Sequence, residues 1–525
     1  MNKILSRRML LILTLLAVAF FGYVVFELQI LPLKFYIPLI IVVTAIPFLL
    51  YRGEKDKHQE HGVRVAVLKL INVLLAIILV VGSLYVMKGS GFISAITGGG
   101  DQKIEMQVIV LKSSSYNSLN DLTGKKFGAN TAMDAVNVNK VEAQIEDEIG
   151  EIEVTPLTSY NKVVSNLINK TVDAVIIKAV DLESLDDIEK DFNEKIRVVK
   201  TIEITIPSVK ANSAKVTKEP FNVLISGTDK KGPIGTFALS DVNMIATINP
   251  TTKQVLLTSI PRDYFVDIIG MDGVSGKDKL THSAKGGINC TIQTVENLMG
   301  IKFNYYAKFN FTSFINVVDA LGGITVDVPK YSVKGRTDGV FVTNKGNYTI
   351  KPGVNNFNAD QALSFVRERK SFTQGDVVRG ENQMLMLKTI IKKCCSPSVV
   401  TKLDSVFESL SSSFETNMSS SDVKSLINMQ ISDGGAWDIQ SYHLTGDASQ
   451  RSKTLATVGD VTKTNKAGLF IMIPEQVSVD KAKEYIKVVM DGKEVLKIKQ
   501  DKEETAPKTT QQKTPTTTTT KKKTN

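Results

Sequence analysis

Three apolar stretches near the N-terminus limit what the first hundred residues can become. "MLLILTLLAVAFFGYVVF" (Met9–Phe26), "FYIPLIIVVTAIPFLLY" (Phe35–Tyr51) and "LINVLLAIILVVGSLYVM" (Leu70–Met87) carry no charged residue. A helix needs about 20 mainly apolar residues to cross a bilayer, so each stretch with its flanks predicts a membrane span. Pro38 and Pro47 are tolerated in such helices. Two further spans follow the first and no small-residue cleavage site is evident, so the first is not a signal peptide. Lys3, Arg7 and Arg8 precede it, and Arg52, Lys55, Lys57, Arg64 and Lys69 lie between the second and third. The only charged residues between the first two are Glu27 and Lys34. The positive-inside rule then places the N-terminus and the second loop in the cytoplasm, and everything after about Lys88 outside the cell.

The remaining chain divides by composition. Residues 1–88 form the membrane part, and the glycine-rich "KGSGFISAITGGGDQK" predicts a linker over 89–103. Residues 104–216 alternate strand-like runs ("IEMQVIVLK", "KKFGA", "VDAVIIKA") with helical spacing ("AVNVNKVEAQIEDEIG", "SYNKVVSNLINK"), which predicts a small α/β accessory domain. Its segments are similar to one lobe of an extracellular solute-binding fold, at about half the length of a two-lobed receptor. A second and larger α/β domain follows over 217–492, and a helix is expected after Gln383. The Thr/Lys/Pro-rich remainder, 493–525, has too few apolar residues to pack and reads as a disordered tail. The formal net charge is +10. Outside a cell, that balance favours anionic polymers or lipid phosphates over nucleic acid. The three cysteines are Cys290, Cys394 and Cys395. A bridge from Cys290 to either of the others is permitted there, and buried thiols are the alternative.

Charge gathers most densely in "FVRERKSFTQGDVVRGENQ", which sets Arg367, Arg369 and Arg379 around Asp376. A solvated face explains most charge clusters. A planar fork of guanidinium donors also suits phosphate oxygens, which makes an anion site the competing reading. Asp229 ends the apolar strand "FNVLISGTD", and Asp241 opens "SDVNMIAT". Such a pair serves as turn caps or holds a hard cation such as Mg²⁺. "SIPRDYFV" ends another strand with Arg262 and Asp263, and "KDKLTHSAKGG" supplies Lys279 and Lys285 before a helix. With four histidines, no G-x-S-x-G elbow and no H-E-x-x-H, the chain offers no hydrolase triad or zinc motif beside His282 and Ser283.

The succession "GTD…SDVNMIATINP…LLTSIPRDYFV…KLTHSAKGG…VDALGGITVDVP…ALSFVRERK…GDVVRGENQ" resembles the LytR–CpsA–Psr family over about Phe221–Lys393, extending to about Gly492. The membrane spans and accessory domain resemble its CpsA-like branch. The resemblance implies an α/β domain with a central mixed sheet flanked by helices. It implies a membrane-anchored phosphotransferase that moves glycopolymer, capsule or wall teichoic acid, from a polyprenyl-pyrophosphate carrier to peptidoglycan. It assigns Asp229 and Asp241 to Mg²⁺, with Mn²⁺ as a substitute. Arg262, Arg367, Arg369 and Arg379 become the pyrophosphate grip, and Lys279, Asp376 and Gln383 fall on further site positions. Asp263 rivals Asp376 as general base. Leu239 and Asn382 stand where the family often carries arginine. The alternatives are a binding protein for polyprenyl phosphate or wall polymer, and a membrane-anchored regulator of envelope expression.

Overall fold

The computed structural model describes residues 6–28, 31–54, 62–99, 101–186, 188–228, 239–270, 276–373, 375–394, 409, 414–448, 451–452, 469–493 and 496–498. Its first three helices, α1 (Arg7–Glu27), α2 (Leu33–Gly53) and α3 (Gly62–Ile96), coincide with the three apolar stretches and are long and apolar enough to cross a membrane. Ala17, Val18, Val43 and Leu79 form their common core. Polar contacts register the bundle: Thr14 donates its hydroxyl to the Asn72 side chain at 2.6 Å, and the Arg7 guanidinium lies 3.8 Å from the centre of the Tyr51 ring.

The stretch expected to be a linker is largely structured. Helix α3 runs on to Ile96 because Ile93 and Ile96 find an apolar surface on Phe414, Val423 and Ile427. Beyond it, the Gly98 and Gly99 amides donate to the carbonyls of Met418 and Thr416 at 2.9 and 2.8 Å. The third membrane helix is thus docked on the larger domain rather than tethered to it.

The smaller domain contains β1 (Gln102–Leu111), β2 (Lys126–Asn130), α4 (Thr131–Ile149), β3 (Glu153–Leu157), α5 (Tyr160–Ile168), β4 (Ala174–Lys178) and β5 (Ile196–Ile206). Its strand order is β3-β2-β4-β1-β5, with β2 parallel to β3 and β4, and β1 antiparallel to β4 and β5. Ser159 starts α5 by accepting a hydrogen bond from the Lys162 amide. The long strand β5 pairs with β1 along its length and forms one edge of the sheet.

The larger domain follows as β6 (Phe221–Thr228), β7 (Val242–Asn249), β8 (Gln254–Ile260), β9 (Phe265–Ile268), β10 (Gly276–Lys279), α6 (Gly287–Met299), β11 (Tyr305–Asn310), α7 (Phe311–Ala320), β12 (Ile324–Val328), β13 (Gly353–Phe357), α8 (Ala359–Arg367), α9 (Gly375–Cys394), β14 (Phe414–Thr416), α10 (Ser420–Asp433), β15 (Asp438–His443) and α11 (Gln476–Asp491). Six of these strands form a mixed sheet in the order β14-β11-β6-β7-β8-β15. Strand β8 is buried along its whole length, as a central strand covered on both faces requires. Side-chain caps at Asn310 and Asn358, each completed by a reciprocal bond three residues on, fix where α7 and α8 begin.

Two further expectations need correction. Helix α9 begins at Gly375, eight residues before Gln383, so the whole GDVVRGENQ stretch is helical. The larger domain does not stop at Gly492: the Leu496 amide donates to Gln254 and the Ile498 amide to Gln440, and Leu496 joins the core. Cys290 is buried in α6 and Cys394 is exposed at the end of α9, and the two are not bridged. Cys395 and the tail from residue 499 lie outside the described residues.

Candidate functional site

Strands β6, β8, β11 and β15 run in one direction, since β11 is parallel to β6, β15 is parallel to β8, and β7 lies antiparallel between β6 and β8. Their carboxyl ends therefore share one edge of the sheet, the edge where open α/β sheets bind ligands. Asp241 stands on that edge at the start of β7. Its amide donates to the Gly227 carbonyl at 2.8 Å. The preceding Ser240 hydroxyl, buried, contacts Ser226 and Asn243 at 2.8 and 2.9 Å.

Two residues past β8, the Arg262 guanidinium bonds the Asp241 carboxylate. Asp263, only 5% exposed, sits behind it. One Asp263 oxygen is 3.0 Å from Lys279 Nζ, and the other is 3.7 Å from Arg262 Nε. Lys279 is held in place by backbone bonds next to it: the Leu280 amide donates to Tyr264 and the Thr281 amide to Arg262, at 2.8 and 2.9 Å. Asp241, Arg262, Asp263 and Lys279 thus form one interlocked group. Its outermost members are 38 positions apart in sequence, and the strand ends bring them together.

A second group lies at the junction of α8 and α9. Arg367 is the last residue of α8 and is half-buried, Arg369 is exposed just beyond, and Arg379 is half-buried in α9. Asp376, Arg379 and Gln383 are spaced i, i+3, i+7 along α9, which puts them on one helical face. Two glycines let this helix approach closely. A Cβ at Gly375 would lie 2.3 Å from the Arg369 carbonyl oxygen, and one at Gly380 would lie 2.7 Å from His443 Cε1. Contact with His443, the last residue of β15, seats the start of α9 on the same sheet edge as Arg262. The Asn382 and Gln383 side-chain amides, through Nδ2 and Nε2, donate to the carbonyls of Phe365 and Val366 at 3.2 and 3.4 Å, clamping the end of α8 on which Arg367 sits. Asn382 is fully buried in this role. Asp229 and the Asp376 side chain lie outside the described residues.

His443 was not singled out by sequence reasoning. Both ring nitrogens are shielded from solvent and have no hydrogen-bond partner among the described residues, and burial pushes its pKa down to about 4. Its strand, DIQSYH, is polar at most positions, so the sequence carried no local signal for it. No group of three or more His, Cys, Asp or Glu suited to a metal occurs among the described residues.

Residues 181–469, more than half of the chain, match the model of the LytR_cpsA_psr family. Residues 65–177 match a second model, DNA polymerase processivity factor; that segment takes in most of the apolar helix α3 and ends within β4. The chain is 35% identical over 251 residues to the Bacillus licheniformis polyisoprenyl-teichoic acid–peptidoglycan teichoic acid transferase TagU, covering 47% of this chain and 71% of that protein. It is 34% identical over 237 residues to the Bacillus subtilis transferase TagT, covering 44% and 69%. The crystal structure of B. subtilis TagV aligns with 52% of this chain and 98% of its own, at 26% identity and a TM-score of 0.42. On the extent of the family match and the identity to TagU, the chain belongs to the LytR–CpsA–Psr family.

Proposed function

We propose that the chain is a membrane-anchored phosphotransferase that moves a glycopolymer from a polyprenyl-pyrophosphate carrier to peptidoglycan on the outer face of the membrane. The observation that carries this reading is the braced Arg262 beside the arginine-bearing junction of α8 and α9, both on the carboxyl edge of the sheet. The names of TagU and TagT, which are transferases of teichoic acid to peptidoglycan, support the reaction class. The basic loop between α2 and α3 supports the outward orientation.

Phosphoryl transfer needs positioning and charge neutralisation above all. Arg262, Arg367, Arg369 and Arg379 supply bidentate donors to the pyrophosphate oxygens, with Lys279 as a further point charge. Asp263 is engaged by Lys279 and by Arg262, so its role here is to orient those two cations. That leaves Asp376 to accept the proton of the attacking sugar hydroxyl. The hydroxyl oxygen bonds to the phosphorus attached to the glycopolymer, and the bond to the other phosphate breaks. The products are a phosphodiester and polyprenyl monophosphate. Asp229 and Asp241 offer only carboxylate oxygens, the donor type that suits Mg²⁺ and accepts Mn²⁺. Such an ion, when bound, supplies further neutralisation of phosphate charge.

The test is a transfer assay on the full chain in lipid nanodiscs, with Mg²⁺, a lipid-pyrophosphate-linked saccharide and peptidoglycan fragments. A phosphodiester product is expected, and Arg367→Ala should lower its rate on the order of 10²–10³-fold with an unchanged melting temperature. Lipid binding without product from any acceptor would instead support a binding protein.

A further inference from the structure

The two α/β domains meet through a buried set of charges that the proposed chemistry does not use. On the smaller domain these are Asp134 in the first turn of α4, Lys178 at the end of β4, and Asp181 three residues later. On the larger domain the partner is Lys285, in the helical turn Leu280–Gly286 that links β10 to α6. Lys285 and Asp181 are each 2% exposed, and Lys285 Nζ lies 2.7 Å from the Asp181 carboxylate. The Tyr160 hydroxyl donates to the other Asp181 oxygen at 2.5 Å. Lys178 pairs with Asp134 at 3.0 Å and donates to the Lys285 carbonyl at 3.1 Å. Burial pushes Asp181 up, but Lys285, Lys178 and the Tyr160 hydroxyl outweigh it and hold the carboxyl below its ordinary range. This contact therefore favours the ionised Asp181 carboxylate.

What makes the contact more than an interface is the segment it grips. The turn that carries Lys285 begins one residue after Lys279, which holds Asp263, which in turn faces Arg262. The same turn is hydrogen-bonded to the arginine loop through the Leu280 and Thr281 amides. Asp278, next to Lys279, is fixed by His282 at 2.7 Å within that turn. One short rigid segment therefore joins the accessory domain at one end to the Arg262 group at the other. A cavity of about 220 Å³ lies beside the contact, bordered by Asp134, Lys178, Lys285 and Gly286. It leaves the segment room to shift once the grip is lost.

We infer that Lys285 is a positioning residue, through which the accessory domain sets the placement of Lys279, Asp263 and Arg262. The inference rests on the reading of Arg262 as part of the transfer site. Two measurements on the full chain in nanodiscs test it. In the first, hydrogen exchange of the Leu280 and Thr281 amides is compared in wild type and Lys285→Met. Faster exchange at these two amides is expected, and unchanged exchange there overturns the inference whether or not the protein catalyses transfer. In the second, transfer rates form a double-mutant cycle with Lys279→Ala. Lys285→Met should slow the wild type on the order of tenfold, and slow Lys279→Ala clearly less, because the Lys279–Asp263 link is then already gone and only the Leu280 and Thr281 backbone bonds carry the coupling. The same loss in both backgrounds, or a loss that follows melting temperature, assigns the pair to stability alone. Removing one member leaves a buried charge, so Asp181→Asn combined with Lys285→Met serves as the folded control. It should melt near wild type and still transfer slowly; wild-type transfer from this control also overturns the inference.

Discussion

Both α/β domains place charged side chains beyond the carboxyl ends of their strands, but they use them differently. In the smaller domain Lys178 meets Asp134, and Asp181 meets Lys285 of the other domain, so two cations and two anions satisfy one another inside the protein. In the larger domain the proposed site sets five cations, Arg262, Lys279, Arg367, Arg369 and Arg379, against four acids, Asp229, Asp241, Asp263 and Asp376, so it carries a positive surplus that a bound metal would enlarge. A strand-end charge cluster is thus not in itself a ligand site. The balance of charge within it separates a structural lock from a place that an anion completes.

The difference can be broken first on the balanced side. Lys178→Met leaves Asp134 buried without its cation, which should cost about 3 kcal/mol of stability at neutral pH in a denaturant melt. Burial already raises the Asp134 pKa and Lys178 opposes that rise, so the variant should raise it further. A folded pKa above the unfolded value means stability falls as pH rises, so the deficit should shrink toward acid pH. On the surplus side, Gly380→Ala pushes a methyl group into the His443 ring and should cost about 1–3 kcal/mol, with transfer falling as α9 shifts. A smaller effect concerns His443 itself. Its folded pKa of about 4 is below the unfolded value of 6.5, so stability rises with pH between those limits. His443→Leu should flatten that part of the pH–stability curve relative to wild type.

Much of this could be read from the sequence because it is local. Uncharged runs marked the three membrane helices, and the strands β6, β7 and β8 were apparent from their apolar runs. The arginines, acids and lysine of the proposed site stood out by residue type at strand and helix ends. What escaped was non-local. Gly375 and Gly380 argue against a helix by propensity, each at a cost of about 1 kcal/mol. Close packing on the Arg369 carbonyl and on His443 overrides that cost, and no spacing within α9 announces it. The continuation of α3 depends on Phe414, Val423 and Ile427, more than 300 residues away in sequence. The Asp181–Lys285 contact joins residues 104 positions apart, and nothing near either one indicates the other.

The most direct test of the charge-surplus account is the melting temperature of the full chain in nanodiscs, titrated with polyprenyl pyrophosphate in the presence of Mg²⁺. Wild type should melt progressively higher as lipid is added, Arg367→Ala should show little or no rise, and Lys178→Met should start lower yet rise as wild type does. An equal rise in Arg367→Ala would contradict the account, because it would place lipid binding elsewhere than on the arginine edge.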